Sequence, residues 1–168
     1  YEETRRFVAS VGSNIRPLPN NVLTLSPTIY WQRNWDHYQW KRGMTGGNKG
    51  ENYHRTDVYG GALNTVVNWA LGKTALGVDL RKELIYSTAY GETLPAHQWK
   101  TIHGSDRMYE RRGERTNTSL FLEHNVVLQH FTLSAGLLAN HNTWLSGGLH
   151  FYPGVDLAWR PNAQWKVF

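Results

Sequence analysis

The chain has 168 residues, with 18 Lys and Arg against 13 Asp and Glu, eight Trp, nine Tyr and no Cys. That length fits one domain or one piece of a larger one. The lack of cysteine excludes a disulfide framework, a thiolate metal site and a cysteine nucleophile. Charged residues make up 18% of the chain, below the roughly 25% of ordinary soluble domains. Aromatic and uncharged polar residues take their place, which favours β-structure.

Neither a membrane helix nor a nucleic-acid interface is predicted. No apolar run approaches the ~18 residues that a membrane helix needs, and residues 1–20 lack the basic start and apolar stretch of a signal peptide. The net charge of +5 is spread along the chain. We therefore expect a mildly basic, solvated surface and no nucleic-acid partner.

Apolar residues recur with a period of two along most of the chain, which predicts strands rather than helices. The clearest case begins at Thr74, where an apolar row alternates with a row that carries three consecutive charges, Asp79, Arg81 and Glu83. In chain order, strands are predicted at residues 4–15, 22–41, 53–70, 74–90, 115–125, 130–140 and 150–160, with a further strand beginning at Trp165.

The connections between these strands alternate in length. Short turns are predicted at residues 17–21, 71–73, 125–129 and 160–164, and longer polar loops at residues 43–52, 91–114 and 140–149. One helical turn, Ser105 to Arg112, is predicted inside the longest loop. Short turns at one end and long loops at the other are typical of a transmembrane β-barrel. A soluble antiparallel barrel with its apolar row turned inward is the alternative.

Two patterns favour the membrane barrel. Aromatic residues bracket the apolar rows, as at the two membrane interfaces. Trp31, Tyr59, Tyr86 and Phe151 fall toward the long-loop end, and Trp69 and Trp159 toward the short-turn end. The polar row is also too charged for a small dry core, where ionised groups need burial and pairing. These groups are Asp79, Arg81, Glu83, Asp156 and Arg160.

Lys82 and two prolines are the exceptions to the pattern. Lys82 stands in the row that would face lipid, where a lysine at the bilayer midplane would cost roughly 2–4 kcal/mol. Eight residues from Thr74, it is expected roughly 20 Å up an apolar band about 25 Å tall, near the outer interface where its ammonium can reach water. Pro27 and Pro153 each remove one ladder donor, which weakens pairing locally without changing the class.

The charged row also predicts a barrel larger than this chain. A spanning sheet must close, because each unpartnered N–H or C=O group costs several kcal/mol in hydrocarbon. Eight strands would close around an interior filled by side chains, which the charged row opposes. The chain also begins abruptly at Tyr1 and ends at Phe168, soon after a turn. We therefore predict an all-β, antiparallel, up-and-down transmembrane β-barrel, of which residues 1–168 supply about eight consecutive strands.

Several segments resemble barrel strands of TonB-dependent outer-membrane receptors from Bacteroidetes. They are residues 59–64 (YGGALN), 71–83 (LGKTALGVDLRKE), 87–91 (STAYG) and 151–161 (FYPGVDLAWRP). The resemblance extends over nearly the whole chain and is greatest to the cobalamin-receptor-like branch. These are scaffold strands, so the resemblance specifies the superfamily better than the ligand.

The resemblance implies a barrel of about 22 strands that is occluded by an N-terminal plug. Substrate would be captured by the outer loops and the plug, and released inward when the TonB energy-coupling protein pulls a peptide near the start of the plug. The implied partners are outer-membrane lipid, the plug (which these residues do not include), TonB, a surface lipoprotein over the loops, and a small-molecule nutrient. No cofactor is implied.

The candidate site residues lie in the longest loop and on the charged row. The eight histidines include no HExxH pair or other recognised metal spacing. His97, Trp99, His103 and Tyr109 are the candidate ligand contacts, because loops on a rigid scaffold carry binding residues. A mobile polar loop is the alternative.

Asp79, Arg81 and Glu83 are the candidate plug contacts. Same-face neighbours on a strand lie about 7 Å apart, so these three can form charge pairs that break and remake. A solvated lumen wall is the alternative. The densest basic run could meet anionic lipid head groups or an acidic partner, although simple solvation is the other reading. This run consists of Arg107, Arg111, Arg112 and Arg115.

The predicted function is thus an outer-membrane active importer of a scarce, large nutrient, a corrinoid or a siderophore. A passive porin shares the same barrel features and is the first alternative. An outer-membrane barrel enzyme is the second alternative, since Ser87, His103 and Asp106 are the residue types of a catalytic triad. No spacing supports that group, so we predict no enzyme activity.

Overall fold

A computed structural model describes residues 1–43 and 50–168. Within these residues, ten strands form in chain order: β1 (Glu2–Gly12), β2 (Leu23–Gln39), β3 (Glu51–Trp69), β4 (Gly72–Ser87), β5 (Glu92–Thr93), β6 (Lys100–Thr101), β7 (Met108–Tyr109), β8 (Arg111–Val127), β9 (Phe131–Asn142) and β10 (Leu149–Trp159). Short 3₁₀ turns occupy Pro19–Asn21 and Ala96–Gln98. Within the two described ranges, no helix is long and apolar enough to cross a membrane.

The long strands pair in the order β1-β2-β3-β4-β8-β9-β10, with β5 beside β8, and β6 and β7 form a separate two-stranded sheet. Neighbours in the main sheet are consecutive long strands, which is the meander that the alternating pattern predicts. The register of the last three strands places Leu122 opposite Leu137 and Leu133 opposite Leu157. The predicted all-β antiparallel class is therefore confirmed.

The structure differs from the prediction mainly inside the longest loop. The helical turn predicted at Ser105–Arg112 is wrong, because Met108–Tyr109 forms β7 and β8 already begins at Arg111. Tertiary contacts decide this, since Tyr109 is buried there as an extended residue. The strand predicted from Trp165 is reduced to one isolated bridge between Val167 and Trp159. Part of the loop predicted at residues 43–52 lies outside the described residues, which exclude 44–49.

The chain forms two compact units. Unit 1 comprises the described residues of Tyr1–Ser10, Tyr30–Gly60 and Arg81–Thr116. Unit 2 comprises Val11–Ile29, Gly61–Leu80 and Asn117–Phe168. Each unit contains pieces of several long strands.

Unit 2 exposes its apolar row. Leu80 is 54% exposed and Val155 is 76% exposed. Other exposed members of the row are Leu76, Leu122, Leu133, Leu137 and Leu157. The described part of the chain buries only two large apolar side chains, Ile102 and Tyr109, and both belong to unit 1. The apolar row of unit 2 therefore does not pack into an enclosed core within the described residues.

The other face of unit 2 is a hydrogen-bonded polar layer. The Asn140 amide donates to Ser119 Oγ at 2.9 Å, and the Asn142 amide donates to Asn117 Oδ1 at 3.3 Å. Ser134 donates to Asn125 in the same way. Polar side chains thus hydrogen-bond to one another on this face, while the apolar side chains of the opposite face are exposed. A soluble domain shows the reverse distribution.

Aromatic rings cluster in both units. In unit 1, Trp31 lies between Phe7 and Tyr59, with ring centroids 5.1 and 6.5 Å away. In unit 2, Phe131 stacks on Trp159 at 6.4 Å. Trp31 and Tyr59 are two of the four aromatic residues predicted toward the long-loop end, and the structure stacks their rings.

Candidate functional site

A cavity of about 770 Å³ lies in unit 1. Strands β1, β2 and β3 provide one wall, and the segment from β6 to β7 provides the other. The lining residues are Glu3, Arg5, Trp35, Asp36, His37, Tyr53, Arg55, Thr101, Ile102, His103, Gly104 and Tyr109. Alternate residues of a strand share a face, so each of the three strands contributes a pair of side chains two positions apart, while Asp36 between Trp35 and His37 belongs to the other face of β2 and pairs there with Thr4.

The hairpin of β6 and β7 is fastened over these strands by an aromatic sandwich. Lys100 pairs with Tyr109 across the hairpin. The guanidinium of Arg55 lies 4.8 Å from the ring centroid of Tyr86 and 5.9 Å from that of Tyr109. Burial raises the pKa of the Tyr109 phenol, and the nearby charge of Arg55 opposes that shift. Arg55 thus anchors the hairpin and lines the cavity.

A buried carboxylate, Glu51, holds the end of β3 beside the cavity. Its Oε1 accepts hydrogen bonds from Tyr53 Oη at 2.8 Å and Gln39 Nε2 at 3.3 Å, and lies 2.7 Å from His37 Nε2. Burial raises the pKa of Glu51, but these hydrogen bonds lower it by more. The pKa of Glu51 therefore lies below the ordinary value of a glutamate. The His37 and Tyr53 rings stack at 4.2 Å. The backbone carbonyl of Glu51 accepts from Arg107 Nη1 at 2.5 Å, which ties the loop to the same point.

A second carboxylate, Asp57, organises the face below the cavity. Its side chain is 1% exposed. Trp31 Nε1 donates to it at 3.2 Å, Arg33 Nε at 2.5 Å, and Arg55 Nε lies 3.4 Å away. Two guanidiniums on one carboxylate fix the positions of both arginines.

The structure brings together two of the four predicted loop contacts. His103 and Tyr109 line the cavity. Trp99 instead donates its indole N–H to the Leu94 carbonyl at 2.9 Å, and His97 lies beside Gln98 in an exposed position. Neither of these side chains belongs to the lining.

Sequence reasoning missed the strand residues of the cavity, Arg5, Trp35, His37, Tyr53 and Arg55. The available signal was that polar and aromatic residues continue the alternation of β2 and β3 beyond their apolar stretches. That signal marks a solvated extension of a strand, but it does not reveal which loop folds over it.

The charged row of β4 forms a ladder with β8. Arg81 Nε lies 2.9 Å from Glu83 Oε1, and Arg115 contacts Glu83 Oε2 through Nε and Nη2, each at 2.5 Å. Arg81 and Glu83 belong to unit 1, whereas Asp79 belongs to unit 2 and has interactions of its own. Arg115 is a member of this ladder that the prediction assigned to the basic run instead.

The rest of the basic run is also bound within the chain. Arg111 donates to the Gly91 carbonyl at 3.1 Å, and Arg112 pairs with Glu114 at 2.6 Å. Glu114 also lies 3.6 Å from Lys82 Nζ, on an exposed surface. Lys82 is thus exposed and paired with Glu114. Among residues 1–43 and 50–168, no group of three or more His, Asp or Glu side chains is placed to hold a metal ion.

Comparisons with known proteins identify the fold. No protein-family model and no curated protein sequence matches the chain. A solved structure of the ferric citrate transporter FecA, in its unliganded form, is similar to it with a TM-score of 0.63 and 13% sequence identity. The match covers 98% of this chain and 26% of that chain, so this chain spans about a quarter of the transporter's length. The described residues therefore have the fold of a β-barrel segment of the kind found in that transporter.

Proposed function

We propose that the chain is a wall segment of an outer-membrane, TonB-dependent active importer. The fold similarity to a ferric citrate transporter over 98% of the chain is the observation that carries this proposal. The reversed distribution of side chains in unit 2 supports it independently, because apolar residues are exposed while polar residues bond to one another.

The membrane-spanning part corresponds to unit 2. Crossing a bilayer takes about 9–11 strand residues at a tilt near 45°, and β9 and β10 have 12 and 11. β3 has 19 residues, of which Glu51–Gly60 belong to unit 1. The longer strands thus exceed the length that a span requires. The apolar row faces acyl chains, and the amide and hydroxyl layer of Asn117, Ser119, Asn140 and Asn142 faces a wet lumen.

The cargo we propose is a scarce, large nutrient of the corrinoid or siderophore class. The corrinoid assignment rests on the resemblance of residues 59–64, 71–83, 87–91 and 151–161 to cobalamin-receptor-like barrels. The siderophore alternative draws on the ferric citrate cargo named for FecA. Both cargoes are metal ions held by an organic ligand.

The moving parts that we propose lie outside these residues. They are a plug in the lumen, the TonB protein that pulls on it, and a surface lipoprotein that caps the outer loops. The Glu83 ladder supports a plug contact, because its charge pairs can exchange partners when a plug shifts. Asp79 is the further candidate on the same row.

Uptake by whole cells tests this function. Cells that express the full-length protein should accumulate a radiolabelled corrinoid against its gradient, and collapse of the proton-motive force should stop accumulation. A passive porin would equilibrate the label without energy, and a barrel enzyme would release a modified product. Parallel uptake of ferric citrate separates the two cargo classes.

A further inference from the structure

The cavity opens on the same strand face as the aromatic cluster of unit 1. This cluster consists of one residue with an odd number from each of β1, β2 and β3, namely Phe7, Trp31 and Tyr59. Six lining residues also have odd numbers and lie on the same face of these strands, namely Glu3, Arg5, Trp35, His37, Tyr53 and Arg55. The opposite, even-numbered face carries its own polar pairs, such as Arg6 with Asn34 and Thr4 with Asp36.

This placement puts the cavity outside the lumen if the proposed function holds, because the aromatic face then looks toward the membrane. Tyr53 is six residues beyond Tyr59 on β3, about 20 Å along the strand and about 15 Å in height at a tilt near 40°. The head-group layer of a phospholipid leaflet is only about 5–8 Å thick. The cavity therefore lies above phospholipid head groups, at the level of glycans that surface lipids carry.

The charge of the lining argues against an anionic ligand. The charged groups on the cavity's face are three guanidiniums and three carboxylates, namely Arg5, Arg33 and Arg55 with Glu3, Glu51 and Asp57. Arg5 pairs with Glu3 at 2.8 Å, and Arg33 pairs with Asp57 at 2.5 Å. With its charges balanced, the site has no surplus positive potential to select phosphate or carboxylate.

The same lining suits a polyhydroxyl ligand. A hydroxyl group donates one hydrogen bond and accepts others, and the site offers both acceptors and donors on its rim. Trp35 lines the cavity and is 39% exposed, so the apolar side of a sugar ring can pack against its indole. A volume of about 770 Å³ falls in the range of roughly 300–1,000 Å³ that is usual for small-molecule sites.

We infer that the cavity binds an uncharged oligosaccharide, the glycan portion of a glycolipid in the outer leaflet, on the outside of the barrel wall. The inference rests on the proposed function for its orientation. Trp35 supplies a stacking surface, and His103 closes the site from the β6–β7 segment. The contacts predicted for the nutrient at His103 and Tyr109 are thereby reassigned to a surface glycan.

Calorimetric titration of the full-length protein in detergent tests the inference. The probe is the deacylated oligosaccharide released from the outer-membrane glycolipid of the same cells. The unmodified protein should bind it, and Trp35→Ala and His103→Ala should each weaken binding at least tenfold. Trp40→Ala and His97→Ala are matched controls, because neither residue lines the cavity, and both should bind as the unmodified protein does.

Three results would overturn the inference: no binding of the oligosaccharide, binding that inorganic phosphate abolishes, or equal affinities for the cavity variants and their controls. Binding of the intact glycolipid without binding of its free oligosaccharide would assign the affinity to acyl chains and would also contradict it. The titration involves no transport step. A protein that binds the glycan and accumulates no nutrient would therefore contradict the proposed function alone.

Discussion

Nδ1 of His54 lies 2.8 Å from Oγ of Ser87. The same oxygen accepts the backbone N–H groups of Ala89 and Tyr90, each at 2.8 Å. Ser87 is fully buried, so its hydroxyl donates its hydrogen bond to His54. A neutral His54 with an unprotonated Nδ1 is the form that completes this arrangement. The hydroxyl thereby closes the turn where β4 ends and the longest loop begins.

Ser87→Ala should loosen that turn. Two backbone donors and one imidazole lose their partner in a buried position, at a cost of about 1–3 kcal/mol. Hydrogen exchange of the full-length protein should show faster exchange at Ala89 and Tyr90. Ser13→Ala, an exposed serine on the connection after β1, should leave exchange at both amides unchanged. Equal protection of the two amides in both variants would show that the hydroxyl does not hold the turn.

Acidification should weaken the same turn. Burial lowers the pKa of His54 below its ordinary value, and Asp36 opposes the shift. The unfolded segment then binds a proton more readily than the folded one, so stability is lost as the pH falls below about 6.5 toward the folded pKa. The protection factor of the Tyr90 amide, which corrects for the intrinsic dependence of exchange on pH, should fall between pH 7.5 and pH 5. His54→Asn keeps an acceptor near the hydroxyl without titrating, and should remove the pH dependence.

Glu51→Gln should release the loop next to the cavity. The substitution removes the charge that Tyr53, Gln39 and His37 surround, and places an amide donor among donors, at a cost of about 1–3 kcal/mol. Proteolysis of the folded protein should become faster between residues 100 and 110. Glu92→Gln, at an exposed glutamate, serves as the control. Because the pKa of Glu51 is lowered, its contribution is present above a pH of about 4.3 and is lost as the pH falls through the folded pKa.

Glu83 and Arg115 should be energetically coupled. Arg115 is partly solvated, with 37% of its side chain exposed, so solvent screening limits the coupling to about 1 kcal/mol. A double-mutant cycle of Glu83→Gln and Arg115→Gln, followed by urea unfolding of the full-length protein in lipid, measures that energy. A coupling indistinguishable from zero would show that the ladder does not stabilise the wall.

The sequence predicts the strands well because alternation is a local property. Leu76, Val78 and Leu80 share a face through backbone geometry alone, whatever surrounds them. The cavity depends on contacts between distant segments, such as Arg55 with Tyr109 and Arg107 with Glu51. Such contacts leave no periodic signal in either segment. For the same reason the stretch around Met108 reads as a helical turn in isolation and becomes a strand when Tyr109 is buried.

The orientation of the apolar row is the central claim, and spin-label accessibility tests it directly. This chain lacks cysteine, so single cysteines for labelling can be placed at neighbouring positions of opposite faces, Leu76 with Ala75 and Leu157 with Asp156. In bilayers containing the full-length protein, labels at Leu76 and Leu157 should collide with dissolved oxygen, and those at Ala75 and Asp156 with a water-soluble nickel chelate. The opposite pattern, with nickel reaching Leu76 and Leu157, would contradict the account.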